Sequence, residues 1–169
     1  MTPTIETMLT EFREEAAVTK RVLDRVPPDK LGWKPHAKSM SVGQLAMHLA
    51  SVPGRIAQSL EQDQVEINPE NFNPSPPKSI EEIHATFDSS CKTAEAFLTG
   101  LTPQHALANW SLVVGGKAAF SKPRAAVIRS IMLNHSYHHR GQLSVYLRLL
   151  DVPVPIIYGR SADEDPFAM

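Results

Sequence analysis

Apolar residues recur at three- and four-residue intervals along four stretches of this chain, and proline-rich breaks separate those stretches. In the first, about Thr4 to Val26, Ile5, Met8, Leu9, Phe12, Ala16, Val22 and Leu23 share one side. Glu11, Glu14, Glu15, Lys20 and Arg21 occupy the other, which predicts an amphipathic helix. Pro27-Pro28 stops it, because proline disfavours helical backbone in the residue before it. A connector containing Leu31-Gly32-Trp33-Lys34-Pro35 leads to Ser41, and Gln44 three residues later completes a capping box. The second helix then runs to Leu60, with Leu45, Leu49, Val52 and Ile56 as its buried stripe. Pro53-Gly54 inside it predicts a kink or break.

Gln64 to Lys78 carries prolines and asparagines with little periodicity, and reads as a crossover loop between distant helix ends. Ser79 and Glu82 form a second capping box, opening a third helix through Ile83, Phe87, Ala94, Phe97 and Leu98 to Gly100. Trp110 to Phe120 resembles a short hairpin turning at Gly115-Gly116. Pro123 suits the first turn of a fourth helix, Arg124 to about Leu150. Its expected inward stripe is Ala125, Ile128, Met132, His135, His139, Gln142, Tyr146 and Leu149, with Arg129, Ser136, Arg140 and Ser144 on the most polar side. Ile131, Leu143, Val145, Leu147 and Leu150 widen the apolar surface, so this helix is either central or packs on another subunit. The expectation is one all-α domain over residues 1–169, a four-helix bundle with a long crossover loop. A short hairpin or irregular segment precedes the last helix.

Two histidines and a glutamine interrupt the last apolar seam. His135 and His139, four residues apart, project from one helix face, and His48 lies on the flank of the second helix's stripe. Three imidazoles from two helices make a three-nitrogen site with a coordination position left open, the layout of a metal centre that does chemistry. The alternative is a set of hydrogen-bonded interior histidines. His138 lies about 100° round the helix from His139, which fits a supporting or interface role. Gln142 either hydrogen-bonds an incoming ligand or pairs two helices. Arg140, on the polar stripe, suits a surface or interface salt bridge better than an anion contact. No HExxH-like carboxylate accompanies the histidines, although Glu11, Glu14 or Glu15 could approach from the first helix. Cys91 lacks any basic or helix-start neighbour and reads as an inert thiol. Trp33 and Trp110 read as caps on the bundle ends, and the Tyr158–Glu164 tail as a docked turn.

Composition narrows the setting. A net charge of −1 without basic runs offers nothing to nucleic acid. No apolar run approaches the ~20 residues that span a bilayer. A lone cysteine and a start with no secretory pattern point to a reducing cytoplasm.

The string His135-x-x-x-His139-Arg140-Gly141-Gln142-Leu143, followed by Val145-Tyr146-Leu147-Arg148, resembles the DinB (DinB/YfiT-like) family. So do the Val152–Glu164 tail, Met40–Ala50 and Pro123-Arg124-Ala125, covering nearly the whole chain in order. The resemblance implies a four-helix bundle, often a homodimer, with a metal triad at His48, His135 and His139. Arg55 departs from the pattern, since many similar sequences place an aromatic residue there, and Ser136 stands where some carry a carboxylate. Neutral imidazoles suit a divalent ion such as zinc or nickel. Such an ion would lower the pKa of a water or thiol in the open position. Relatives in the wider superfamily are thiol-dependent transferases and isomerases. The first expectation is therefore a metal-dependent S-transferase or hydrolase acting on a low-molecular-weight thiol or another small molecule. The second is a stress-related, metal-binding dimer without turnover.

Overall fold

The computed structural model describes residues 4–68 and 75–167. Three long helices open the fold: α1 (Ile5–Leu23), α2 (Val42–Leu60) and α3 (Ile80–Gly100). A short α4 (Pro103–Leu107) follows, then β2 (Asn109–Val114) and β3 (Lys117–Pro123), with β1 (Gln64–Ile67) between α2 and α3. The last helix is composite: α5 (Arg124–Val127), a π-helical segment (Ile128–Asn134) and α6 (His135–Leu149).

Local chemistry explains most boundaries. Ser41 and Gln44 form the reciprocal capping box, with N–H to side-chain distances of 3.2 and 3.0 Å. At α3 only the serine half forms, because the Glu82 carboxylate accepts the Lys78 N–H instead (2.6 Å). Pro53 does not break α2. The helix holds because it lies flush on α3: the Gly54 N–H donates to Ser90 Oγ at 2.7 Å. A Cβ on Gly54 would meet the Ser90 Cα at 2.8 Å, so glycine permits the close approach. Gly43 is similarly tight against Leu31 and Pro77, whereas Gly141 faces open space.

The main packing runs round a ring, α1 on α3, α3 on α2, α2 on the last helix and the last helix on α1, which sets α1 and α2 on a diagonal. Two apolar clusters fill the interior. Met8, Phe12, Leu60, Leu98, Trp110 and Met132 belong to the one beside the sheet. Val22, Leu45, Leu49, Phe87, Leu143 and Leu147 belong to the other.

The fold is mostly helical but not all-α. The expected hairpin is present, β2 and β3 turning through Gly115 and Gly116 at φ 57° and 74°. In addition β1 pairs parallel to β2, from Gln64↔Ser111 to Ile67↔Val114. Part of the stretch expected to be a loop is therefore a strand; residues 69–74 of it lie outside the described residues. Its polar–apolar alternation is only four residues long, and its stability comes from the distant edge of β2. Arg124, 1% exposed, ties this layer to the helices. Its guanidinium donates to the carbonyls of Leu60, Gln62, Ala108 and Asn109 and to the Asp63 carboxylate.

The phase of the last helix also differs from expectation. A π turn takes up an extra residue, so the face beyond it rotates by about one position relative to a continuous α-helix. The inward residues are Ser136, Arg140, Leu143 and Leu147, each one place beyond the expected His135, His139, Gln142 and Tyr146. Gln142 is exposed, and Leu149 is 57% exposed. Ser136 Oγ donates to the Met132 carbonyl (2.7 Å), a backbone acceptor inside the π segment. The rotation carries His135 and His139 from the seam's centre to its edge.

A three-histidine candidate metal centre

At that edge α6 meets the flank of α2, and three imidazoles converge. His48 Nε2 lies 2.9 Å from His135 Nε2, which lies 3.0 Å from His139 Nε2. Among the described residues these three form the one group of potential ligands close enough to share an ion. The ring centroids are 4.3–5.2 Å apart and the planes cross at 65–87°, so each ring points an edge nitrogen at the common centre. Metal–imidazole bonds of about 2.0–2.1 Å place two nitrogens about 2.9 Å apart at a right angle and ~3.3 Å apart at a tetrahedral angle. The His48–His135 and His135–His139 separations lie within the span that two ligands of one ion can bridge.

Tautomers support the same fit. His139 Nδ1–H donates to Gln142 Oε1 at 2.7 Å, which leaves the Nε2 lone pair directed at the other two rings. Clustered lone pairs repel unless a proton or cation lies between them. Gln142 does not pair two helices: its amide oxygen accepts from His139, from one turn further along α6. The signal in the sequence was its spacing, three residues after His139.

Burial keeps the imidazoles neutral. It is the main cause that lowers the His48 pKa from 6.5 to about 4, followed by the positive charge of protonated His139, His135 and Arg55 nearby. Burial also lowers the pKa values of His135 and His139, the latter against an opposing contribution from Gln142. Neutral imidazole is the form that binds metal. The sign for the metal-free protein follows. Between about pH 4 and 6.5 the unfolded chain binds a proton at His48 that the folded chain does not, so stability falls on acidification across that window. Urea midpoints of metal-free protein are expected to drop from pH 7 to pH 4.5, and less steeply in His48→Phe; parallel slopes would contradict this.

The other candidates lie elsewhere. His138 is exposed and sits edge-on to His139, with centroids 5.0 Å apart, outside the converging set. Arg140 is not on the surface; it is 1% exposed and points away from the triad. It donates to the Glu15 carbonyl, Thr19 Oγ1 and Tyr158 Oη, and pairs with the Glu15 carboxylate at 2.6 Å. Glu11 is held by both Arg129 nitrogens (2.5 and 2.7 Å) and by Tyr137 Oη, so neither Glu11 nor Glu15 joins the histidines. Cys91 is a half-buried thiol pushed up to about 12 by desolvation, which keeps it protonated and inert. Trp110 Nε1–H donates to the Ser59 carbonyl at the end of α2, as a capping role requires. The tail docks as expected, through Arg25–Glu164, Arg148–Asp163 and Tyr158.

Comparison with known proteins places this site in context. YrdA of Bacillus subtilis (strain 168), an uncharacterized protein, is 25% identical over 167 residues, covering 97% of this chain and 93% of that one. A DinB-like protein from Bacillus cereus ATCC 10987 superposes with a TM-score of 0.73 at 21% identity, over 94% of this chain and 100% of the other. The DinB-like YjoA of Bacillus subtilis gives 0.68 at 20% identity, over 90% and 99%. These two structural likenesses speak to the fold. The DinB family model matches residues 1–165, and on that match the chain belongs to the DinB family.

Proposed function

We propose that His48, His135 and His139 hold a divalent ion, zinc or nickel, and that the protein is a metal-dependent enzyme, a thiol S-transferase or a hydrolase. One observation carries this reading: three Nε2 atoms converge within bonding reach of one ion at the edge of the helical body, where His48 and His135 are only half buried. A closed structural site would use a fourth protein ligand, and none accompanies these three among the described residues. A bound ion would lower the pKa of a water or thiol in the remaining position and so supply a nucleophile at neutral pH. The chain's own contribution is to hold the three nitrogens, to fix the His139 tautomer through Gln142, and to keep the imidazoles unprotonated.

A second reading, a metal-binding homodimer without turnover, draws on two observations. Glu11 and Glu15, two of the α1 carboxylates that could have approached the histidines as a general base, are engaged in ion pairs instead. Val145 and Leu149, each 57% exposed on α6, offer apolar surface to a second copy. A cytoplasmic setting suits both readings.

The two separate on turnover. Zinc- or nickel-loaded protein is expected to accelerate conjugation of small thiols with an electrophile such as monobromobimane, and His48→Ala to return the rate to background. Rates equal to background across a panel of thiols and activated esters would favour the non-catalytic dimer.

A further inference from the structure

Helix α6 touches both α1 and α2, and the two contacts carry different chemistry. Toward α2 it presents His135 and His139, which meet His48 there. Toward α1 it presents Arg140, the residue after His139 and 1% exposed. The Arg140 guanidinium donates to the Glu15 carbonyl at 3.1 Å and to Thr19 Oγ1 at 3.2 Å, and pairs with the Glu15 carboxylate at 2.6 Å. Tyr158 of the C-terminal tail, itself 69% exposed, closes over this pair from outside. Its hydroxyl accepts from Arg140 and donates to Glu15 Oε2 at 2.9 Å. The Tyr158 and Tyr137 rings lie 5.0 and 5.3 Å from the guanidinium carbon.

The π segment uncouples the phase of α6 from the helix before it, so contacts beyond that segment must fix which residues face inward. Apolar packing fixes the phase weakly: Leu143 and Leu147 are buried, but Val145 and Leu149 offer similar side chains on another face. Ser136 bonds only within its own helix. Arg140 discriminates sharply, because a turn by one position would pull its charge from Glu15, and breaking a buried, hydrogen-bonded ion pair is strongly unfavourable. The same turn would carry His135 and His139 about 100° away from His48. Arg140 thus holds the two imidazoles from behind, through the backbone it shares with them.

We propose that Arg140 is the positioning residue of the three-histidine centre, and that the tail clasps it through Tyr158, so that tail docking and metal binding strengthen each other. The coupling to metal rests on the metal-centre reading; the hold on the imidazoles does not. The tail's other ties, Arg25–Glu164, Arg148–Asp163 and Arg21 to the Ile156 carbonyl, lie at the surface, where such pairs contribute little. Tyr158 is therefore the contact through which the tail acts on α6. The coupling is reciprocal: whatever factor the clasp adds to metal affinity, bound metal adds to tail docking.

Tyr158→Phe tests it, since the change keeps the ring and removes only the hydroxyl. In chelator competition the variant is expected to bind zinc about tenfold more weakly, the low end for residues that orient a ligand. Zinc should in turn slow hydrogen exchange at the tail amides of Val154 and Ile156 by about the same factor in the parent, and much less in the variant. Arg124→Met, which loosens the fold at its sheet end, should leave zinc affinity unchanged. Unaltered affinity in Tyr158→Phe, tail exchange indifferent to zinc, or an equal loss of affinity in Arg124→Met would overturn the proposal. If the parent binds neither zinc nor nickel, the metal-centre reading fails, and the metal-free protein decides the hold on the imidazoles separately. Displaced His139 imidazole ¹⁵N resonances in Tyr158→Phe support it, and unmoved resonances overturn it.

Discussion

His48→Ala is expected to lower metal affinity by at least about 100-fold while leaving the metal-free fold intact. Changes to residues that merely orient a ligand typically cost 10–100-fold, and loss of one ligand of three costs more. The fold should tolerate the change because His48 sits on the flank of α2, half exposed, whereas the core stripe of that helix is carried by Leu45, Leu49 and Val52. Chelator competition on the purified variant, beside far-ultraviolet circular dichroism, reads both parts. Gln142→Leu belongs to the same experiment. It removes the acceptor of the 2.7 Å bond from His139 Nδ1–H, so its affinity should fall between parent and His48→Ala. If His48→Ala bound metal as tightly as the parent, His48 would not be a ligand, and the 2.9 Å contact with His135 would be an ordinary hydrogen bond between histidines.

The largest effect on stability is expected at Arg124. Its side chain is 1% exposed and satisfies four backbone carbonyls, two of them, Leu60 and Gln62, at the end of α2. Those carbonyls have no further turn of helix to donate to them, and the negative end of the α2 dipole lies there as well. Arg124→Met keeps much of the volume but strips every donor. The expected cost is roughly 3 kcal/mol, since a buried acceptor left unpaired, as at Leu60, costs about 1–3 kcal/mol and the part-buried carbonyls of Gln62 and Asn109 add to it. The ion pair with Asp63 is not the source of this effect. The Asp63 side chain is 98% exposed, so Asp63→Asn should cost under about 1 kcal/mol. Urea unfolding of the two variants separates the contributions. A small effect for Arg124→Met, or a large one for Asp63→Asn, would show that the carbonyl contacts do not hold the sheet to the helices.

Much of this molecule was legible in the sequence, for identifiable reasons. Helix starts at Ser41 and Ser79 were readable because capping is local chemistry, settled within four residues. The glycine turn of the hairpin was readable for the same reason. Strand β1 was not, because four residues of weak alternation are decided by a partner far along the chain. The phase of α6 was lost at one feature, the π segment, which no periodic pattern announces. A continuous α-helix places His135, His139 and Gln142 inward; one inserted residue places Ser136, Arg140 and Leu143 there instead.

That single displacement altered two roles. Arg140, read from its polar neighbours as a surface residue, is buried in a network with Glu15, Thr19 and Tyr158 that docks the tail onto α1. Gln142 moved to the surface edge, where it reaches His139 rather than another helix. The histidine set survived the error because i and i+4 neighbours stay together under any rotation of the helix. Its placement at the edge of the seam leaves His48 and His135 half buried while His139 is buried.

The most direct test of the metal centre is elemental analysis of tag-free protein after incubation with zinc and nickel, beside the His135→Ala/His139→Ala double variant. Near-stoichiometric metal is expected in the parent and almost none in the variant. A parent that stays metal-free under those conditions would contradict it, and would make the three histidines a hydrogen-bonded contact between α2 and α6.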